Sequence, residues 1–255
     1  MSPEQAEPPW RTIALLPVRA LEGAKSRLGA ALDAEERRDL VVGLLRRTLT
    51  ALRDADRVDA TIVVSSDEEV LDIAREAAVV PLRQLGGGLN AALDQSRAVA
   101  VELGADEVIV VPGDLPAISA SAVDSVLRAA DDPGPPAPPG GRAVGPGDSR
   151  PVAGPVVGPP AAPVSGRAVV LVTDRHGRGT NALVLRPPDV IPFAFGGDSR
   201  VAHAALAAAA GATYVEVPGP LRLDLDTPDD LLLVEGEDPE HDAPATARTG
   251  GGGDG

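Results

Sequence analysis

The chain has 255 residues, near the upper limit for one domain, and it contains no cysteine. A disulfide framework, a thiol nucleophile and a cysteine-ligated zinc site are therefore excluded. Acidic residues outnumber basic residues 38 to 23, which gives a net charge of −15. This charge argues against a protein that grips nucleic acid or an anionic membrane, and we expect neither as a partner. With one Trp, one Tyr and two Phe, base-stacking platforms are nearly excluded as well.

Proline and glycine are distributed unevenly, and their distribution predicts the domain organisation. Residues 131–166 are rich in both and have no helical or strand periodicity, so we expect a flexible insert that buries too little apolar surface to fold. Residues 1–10 lack the regions of a signal peptide, and residues 235–255 are acidic and then glycine-rich; both are expected to be disordered tails. No apolar run approaches the length of a membrane span. The prediction is one cytoplasmic domain over residues 11–234.

The rest of the chain alternates between apolar runs typical of strands and amphipathic patterns typical of helices. The clearest helix begins at Asp33, where Glu36 completes a capping-box pattern. In chain order, the predicted elements are a strand over 12–18, a helix over 33–53, a strand over 60–64, a helix from 66 or 67 to 77, a helix over 89–103, a strand over 107–111, a helix over 119–130, strands over 168–173 and 182–185, a helix over 199–210, a strand over 214–217 and a short helix opened by Thr227-Pro228. This alternation predicts an α/β sandwich with a largely parallel sheet, whose ligands lie beyond the carboxyl ends of the strands.

The loop after the first predicted strand is basic and carries Arg19, Lys25 and Arg27. Lys25 is the only lysine in the chain. A lysine and two arginines in a strand-end loop suit a polyphosphate ligand. The loop is not a Walker A motif, because Ala24 stands where that motif requires glycine. A solvated basic loop is the alternative interpretation.

Three aspartates also follow predicted strands. Asp114 lies in a proline-braced turn, and the spacing of Asp224 and Asp226 puts both on one face if that segment is extended. Carboxylates that face one another repel unless a cation or an arginine lies between them. Together the three predict a Mg²⁺ site of the kind used for phosphoryl transfer. For each aspartate alone, a helix cap or a turn is the commoner role.

Two glycine-containing segments, residues 174–183 and 195–199, suit a small anionic substrate. Arginines, Thr180 and the helix start at Ser199 supply charge, hydroxyls and backbone amides. His176 and His203 are expected to be surface or structural histidines. No serine-hydrolase elbow, zincin motif or dinucleotide-binding glycine motif occurs.

Together these segments resemble the coenzyme F420 biosynthesis guanylyltransferases, whose acceptor is phosphoenolpyruvate or 2-phospho-L-lactate. The similarity runs in order from about residue 12 to 233 and is interrupted only by the proline-rich insert. The matching segments are 16–18 with 24–28, 88–93, 114–116, 179–183, 195–199 and 223–231. The resemblance implies a single-domain, nucleotide-diphospho-sugar-transferase-like (Rossmann-like) three-layer sandwich with a mostly parallel mixed sheet. It also implies GTP as the donor and Mg²⁺ as the cofactor.

The resemblance further implies a role for individual residues. The metal ligands would be Asp114, Asp224 and Asp226, with Lys25 and Asp114 as the catalytic residues. The residues expected to bind the acceptor are Thr180, Gly196 and Ser199. The residues expected to bind the nucleotide are Arg19, Lys25, Arg27, Gly88 and Asn90. Arg19 departs from the family pattern, in which lysine is frequent at that position.

The expected activity is transfer of GMP from GTP to phosphoenolpyruvate, which gives enolpyruvoyl-2-diphospho-5'-guanosine and pyrophosphate. Phosphoenolpyruvate is preferred because the composition is typical of a GC-rich, actinobacterial-type genome, in which that acceptor is expected. The first alternative is 2-phospho-L-lactate, which would give lactyl-2-diphospho-5'-guanosine. Another nucleotidyltransferase and a non-catalytic nucleotide-binding protein are further alternatives. The resemblance also suggests a downstream transferase of the F420 pathway as a partner.

Overall fold

The computed structural model describes residues 10–131 and 166–230. The predicted insert, apart from its first and last residues, and the predicted tails, apart from residue 10, lie outside these ranges. Within the described ranges, no helix combines the length and the apolar character that crossing a membrane requires.

Seven strands and five helices form the described structure. The strands are β1 (Thr12–Pro17), β2 (Ala60–Ser65), β3 (Val80–Arg83), β4 (Glu107–Val110), β5 (Ala168–Thr173), β6 (Thr180–Arg186) and β7 (Thr213–Glu216). The helices are α1 (Ala34–Asp54), α2 (Glu68–Glu76), α3 (Leu89–Glu102), α4 (Ala120–Arg128) and α5 (Ser199–Ala209). Two short 3-10 helices cover Ser26–Ala30 and Pro220–Arg222.

The strands form one mixed sheet in the order β3-β2-β1-β4-β6-β5-β7. All neighbouring pairs are parallel except the two that involve β6, which is antiparallel to both β4 and β5. The start of β6 therefore lies at the edge where the other strands end. This edge, called the carboxyl edge below, collects the loops that carry the predicted site residues.

Helices cover both faces of the sheet, so the predicted three-layer α/β architecture is confirmed. Alternate residues of β1 point to opposite faces: Ala14 and Leu16 pack in one apolar cluster, and Ile13 and Leu15 pack in the other. The first cluster includes residues of α1, α2 and α4, and the second includes residues of α3 and α5. Because nearly every core side chain is aliphatic, the sheet is buried without large aromatic residues.

Most local predictions agree with the structure. The Asp33 carboxylate accepts from the backbone N–H groups of Glu35 and Glu36, and the Glu36 carboxylate accepts from the Asp33 N–H, which confirms the capping box. The side chains of Asp67 and Ser119 each accept from one backbone N–H group of the first turn and so cap α2 and α4. The sequence analysis missed β3, because this short edge strand is only partly buried and contains Pro81. It also began β6 two residues too late.

A buried ion network lies at the opposite, amino edge of the sheet. Glu107, the first residue of β4, is fully buried and pairs with Arg186, the last residue of β6. Its other carboxylate oxygen accepts from the Thr12 hydroxyl at 2.8 Å. Asp131 pairs with both Arg186 and Arg57. Burial raises the pKa of Glu107, and the neighbouring Arg186 partly offsets this effect. The network balances two carboxylates against two guanidinium groups.

Candidate active site

A cleft of about 890 Å³ opens at the carboxyl edge of the sheet. Its walls come from the loop after β1, the turn after β4 and the start of α3, together with the side chains of Thr180, Phe195 and Asp226. The cleft therefore lies where the α/β architecture predicts a ligand. Arg19, Lys25, Arg27, Gly88 and Asp114, all predicted site residues, line it.

Lys25 links two of the predicted metal ligands. Its ammonium donates to the Asp114 carboxylate at 2.7 Å and to the Asp226 carboxylate at 2.6 Å. Burial alone lowers the pKa of Lys25, but the two carboxylates outweigh it, so the pKa lies above its ordinary value. Lys25 also has a left-handed backbone conformation (φ 52°, ψ 39°), which is unfavourable for a residue with a side chain. This unfavourable backbone conformation is retained at a position where the Lys25 ammonium lies between two carboxylates.

Asp224 completes an excess of negative charge at the same place. Burial raises the pKa of the Asp224 carboxyl, and the charges of Asp114 and Asp226 raise it further. In the described ranges, no three acidic or histidine side chains converge as a complete set of metal ligands. The donor chemistry nevertheless fits Mg²⁺, because the three aspartates offer only oxygen ligands and exceed the charge of Lys25.

The segment that carries Asp224 and Asp226 lies outside the strands, and hydrogen bonds to its backbone hold it. The Leu225 N–H donates to the Asp114 carbonyl oxygen at 3.1 Å, which ties the two aspartate loops together. The Asp230 carboxylate accepts from the N–H groups of Asp226 and Thr227 at 2.9 and 2.7 Å. Asp230 in turn pairs with Arg175 at 2.6 Å. Asp230 therefore caps the backbone N–H groups of this segment, and the Asp226 carboxylate accepts from Lys25 instead.

The first of the two predicted glycine-containing segments, residues 174–183, forms the turn between β5 and β6 and carries Thr180. The Asp174 carboxylate closes this turn by accepting from the N–H groups of Arg178 and Gly179, both at 2.9 Å. A Cβ at Gly179 would lie 2.6 Å from that carboxylate, so the turn requires glycine there. The Thr180 hydroxyl lies 2.9 Å from the Ser199 hydroxyl. Two of the predicted acceptor ligands are thus in contact.

Gly196, the third predicted acceptor ligand, lies in a loop that Asn90 fixes. The Asn90 amide donates to the Phe195 carbonyl oxygen at 3.1 Å, and its own oxygen accepts from the Phe195 N–H at 2.9 Å. The expected nucleotide contact of Asn90 stays a prediction. In this structure both polar groups of its side chain are bonded to the backbone beside Gly196.

The remaining predicted nucleotide ligands lie around the cleft. Gly88 is the N-cap of α3, and its backbone faces the cleft without a side chain in the way. Arg27 is 76% exposed, and its guanidinium lies 4.0 Å from Asp226. Arg19 lines the same wall. These basic groups and Thr180 line the same cleft, so the cleft offers both cationic groups and a hydroxyl to a ligand.

One residue behind the candidate site was given no site role in the sequence analysis. His203 is fully buried, and its Nδ1 atom lies 3.2 Å from the Thr180 hydroxyl. The sequence analysis assigned it to a surface or structural role, and the structure excludes the surface. Its position four residues after Ser199 on a predicted helix was the available signal, because residues with this spacing share a face.

Two solved structures share the architecture of this chain. One from Desulfovibrio desulfuricans G20, described as a nucleotide-diphospho-sugar transferase, superposes with a TM-score of 0.64 at 14% identity and covers 90% of this chain and 89% of its own. A nucleotidyl transferase from Methanothermobacter superposes with a TM-score of 0.54 at 14% identity, over 89% of this chain and 96% of its own. At these identities the likeness concerns the fold alone.

Sequence relatives decide the family. The family model described as "Guanylyl transferase CofC like" matches residues 12–136. The phosphoenolpyruvate guanylyltransferase of Sphaerobacter thermophilus is 40% identical over 89% of this chain and 94% of its own length, and that of Rubrobacter xylanophilus is 39% identical over 87% and 92%. The chain belongs to the CofC-like guanylyltransferase family. It is a nucleotidyltransferase, and the cleft at the carboxyl edge is its candidate active site.

More distant members of the family carry a different name. The 2-phospho-L-lactate guanylyltransferase of Methanocaldococcus jannaschii is 26% identical over 88% of this chain and 83% of its own length. The predicted family, fold class and type of enzyme are therefore confirmed. The assignment of individual site residues and of Mg²⁺ stays a prediction.

Proposed function

We propose that this enzyme transfers GMP from GTP to phosphoenolpyruvate in the biosynthesis of coenzyme F420, releasing pyrophosphate. One observation carries the proposal: a single cleft is lined both by the cluster of Lys25 with Asp114 and Asp226 and by Thr180, whose hydroxyl contacts the buried hydroxyl of Ser199. The first suits a nucleoside triphosphate with its cation, and the second suits a small phosphorylated acid.

The reaction needs alignment more than acid–base chemistry. A phosphate oxygen of the acceptor attacks the α-phosphorus of GTP, and the bond from that phosphorus to the β-phosphate bridging oxygen breaks as pyrophosphate leaves. The nucleophile is already an anion, so no general base is required. Holding the two anions in line and neutralising their charge supplies the acceleration.

Lys25 and the three aspartates would handle the charge of the triphosphate. Asp114, Asp224 and Asp226 are the residues that would hold Mg²⁺, which when bound would neutralise phosphate oxygens. Lys25 then exchanges its carboxylate partners for a phosphate oxygen of GTP, and Arg19 and Arg27 add charge at the rim of the cleft. Gly88 and Asn90 are the residues proposed nearest to the nucleoside.

Thr180, Gly196 and Ser199 would hold the acceptor, with the nearly buried Ser199 acting through its hydrogen bond to the Thr180 hydroxyl. The turn closed by Asp174 fixes Thr180, and Asn90 fixes the loop of Gly196, so both are positioned before the acceptor arrives. Preorganised hydrogen-bond donors lower the cost of ordering the site during the reaction.

The preference for phosphoenolpyruvate over 2-phospho-L-lactate rests on the names of the more similar relatives. Those at 40% and 39% identity carry the phosphoenolpyruvate name, and the relative at 26% carries the phospholactate name. The two acceptors have the same charged groups and differ in the geometry at two carbons. Charge alone therefore does not discriminate between them, and the shape of the acceptor side must.

The test is pyrophosphate release by the purified full-length enzyme with Mg²⁺, measured side by side with each acceptor. GTP with phosphoenolpyruvate should react fastest, and CTP or ATP in place of GTP should react far more slowly. Equal or faster turnover with 2-phospho-L-lactate would reverse the acceptor assignment. No release with either acceptor would overturn the proposed function.

The product is a mixed phosphoanhydride, which is an activated group for a further transfer. We therefore also propose a downstream transferase of the F420 pathway as the functional partner, and the cytoplasm, where both substrates are made, as the location. Fractionation of cells that express a tagged full-length chain tests the location, and enrichment of the tag with membranes would contradict it.

A further inference from the structure

His203 is a buried histidine whose two ring nitrogens both lie within hydrogen-bond distance of neighbouring groups. It lies on α5 four residues after Ser199, is fully buried, and has a hydrogen-bond partner at each ring nitrogen. The Nε2 atom lies 3.1 Å from the Ala194 backbone nitrogen, and the Nδ1 atom lies 3.2 Å from the Thr180 hydroxyl oxygen. The ring also packs edge-on against Phe195, at 5.1 Å between ring centroids.

The Ala194 contact determines which ring nitrogen carries the proton. A backbone N–H can only donate, so Nε2 must accept and cannot be protonated. A neutral imidazole with a bare Nε2 holds its one proton on Nδ1. Burial lowers the pKa of His203 to about 4, which keeps the ring neutral near pH 7. Nδ1 therefore donates its proton to the Thr180 oxygen.

The neighbouring serine constrains the same threonine from the other side. Ser199 is 2% exposed, and the Thr180 oxygen lies 2.9 Å from its hydroxyl. A buried hydroxyl proton without an acceptor is costly, so the Ser199 hydroxyl donates to Thr180. The Thr180 oxygen then accepts two hydrogen bonds, one from His203 and one from Ser199. The Thr180 hydroxyl proton is left to donate to a further group. Thr180 lines the cleft, so this proton is available to a ligand there.

We infer that His203 is a positioning residue that makes the Thr180 hydroxyl an obligatory donor toward the acceptor phosphate. The same ring braces the loop of Gly196 through Ala194, so one side chain sets both the direction of the hydroxyl and the position of the loop. A fixed donor favours an anionic oxygen over a water or a cation at this point of the cleft. This inference rests on the proposed function and extends it to a residue behind the acceptor.

The kinetic test compares His203→Phe with Thr180→Val and the double variant. His203→Phe keeps an aromatic ring in the pocket but removes both hydrogen bonds. The loss of one directed hydrogen bond should raise the KM for phosphoenolpyruvate about tenfold and leave the KM for GTP unchanged. In the Thr180→Val background, the same substitution should change the acceptor KM little further, because the hydroxyl that it orients is gone. Effects that multiply independently would overturn the inference.

Two further variants separate the ring nitrogens. His203→Asn places an amide near Nδ1 and should restore most of the acceptor KM, whereas His203→Gln places its amide near Nε2 and should not. Leu206→Ala on the same helix removes apolar packing without touching the hydrogen bonds. It should lower the stability and leave the acceptor KM unchanged. A raised acceptor KM in Leu206→Ala, or equal restoration by Asn and Gln, would mean that His203 acts only through packing.

A spectroscopic measurement keeps the inference independent of turnover. The ¹⁵N shifts of the His203 ring, assigned by their absence from the His203→Phe spectrum, should indicate a protonated Nδ1 and a bare Nε2 at neutral pH. A protonated Nε2 would overturn the inference even if the enzyme is active. If the wild type releases no pyrophosphate with either acceptor, the proposed function fails, and this spectrum still decides the tautomer.

Discussion

The two edges of the sheet both carry clustered charges, but the clusters differ in balance and exposure. At the amino edge, Glu107 and Asp131 are matched by Arg57 and Arg186, and Glu107 is fully buried. At the carboxyl edge, the ammonium of Lys25 contacts two carboxylates, and Asp224 adds a third negative charge near them. The side chains of Asp114 and Asp226 remain 32% and 43% exposed.

This difference separates a structural charge cluster from a functional one. A buried network survives only if its charges and hydrogen bonds are matched, because an unpaired buried charge is costly. An open cluster with excess charge of one sign is unfavourable by itself and becomes favourable when a ligand of opposite charge binds. The imbalance at the carboxyl edge therefore supports the proposed cation site, and the balance at the amino edge indicates a structural role.

The largest expected effect is on turnover at the carboxyl edge. Asp114→Asn removes a carboxylate that contacts Lys25, and we expect the rate of pyrophosphate release to fall at least about a hundredfold. The circular dichroism spectrum should not change. The matched control is Asp189→Asn, an exposed aspartate beyond the amino-edge end of β6, which should keep full activity. A near-normal rate in Asp114→Asn would refute its role in charge handling.

At the amino edge the expected effect is on stability. Arg186→Gln leaves the fully buried Glu107 without its guanidinium partner, so the free energy of unfolding should fall by about 3 kcal/mol. Urea unfolding measures it, with the exposed Arg11→Gln as the control. The folded fraction should keep its KM values. Loss of activity without loss of stability would contradict the structural role of this edge.

Asp224→Asn is expected to change the free energy of unfolding by a smaller amount and in the opposite direction. Burial and the charges of Asp114 and Asp226 disfavour the ionised form of Asp224, as its raised pKa indicates. Removing the charge should therefore raise the free energy of unfolding by about 1 kcal/mol while turnover is lost. The exposed Asp229→Asn should change neither. Destabilisation by Asp224→Asn would mean that the carboxyl-edge cluster is also a structural network.

The smallest effect is expected for the insert. Its described ends are Asp131, which follows α4, and Gly166, which precedes β5. Both lie at the amino edge of the sheet, whereas the cleft lies at the carboxyl edge. Deletion of residues 133–164 should therefore leave the rate of pyrophosphate release within about twofold of the wild type. A large loss of rate in a deletion variant with a native circular dichroism spectrum would connect the insert to the site.

Local signals in the sequence predicted most of the fold. Asp33 and Glu36 form the predicted capping box, and the apolar runs that became β1, β2, β4 and β5 are buried as expected. The edge strand β3 is short, only partly buried and contains Pro81, so it did not stand out. Pairing across the sheet is not local: Glu107 and Arg186 lie 79 residues apart, so no spacing rule connects them.

The site was predictable as a set of residues but not as an arrangement. The basic loop and the carboxylates were identified because each follows a strand, and strand ends meet at one edge. The contact of Lys25 with two aspartates, and of His203 with Thr180, depends on residues that only the tertiary structure brings together. Chemistry-bearing residue types are visible in a sequence, whereas the direction of a hydrogen bond is not.

The antiparallel strand β6 has a consequence for how acceptor choice can change. Because the chain turns back after β5, Thr180, Gly196 and Ser199 all fall within residues 174–199, a continuous stretch that begins and ends at the carboxyl edge. The donor side is assembled from loops spread over the rest of the chain. With the roles proposed above, acceptor choice can therefore change through substitutions in this one segment and in His203, which lies just beyond it.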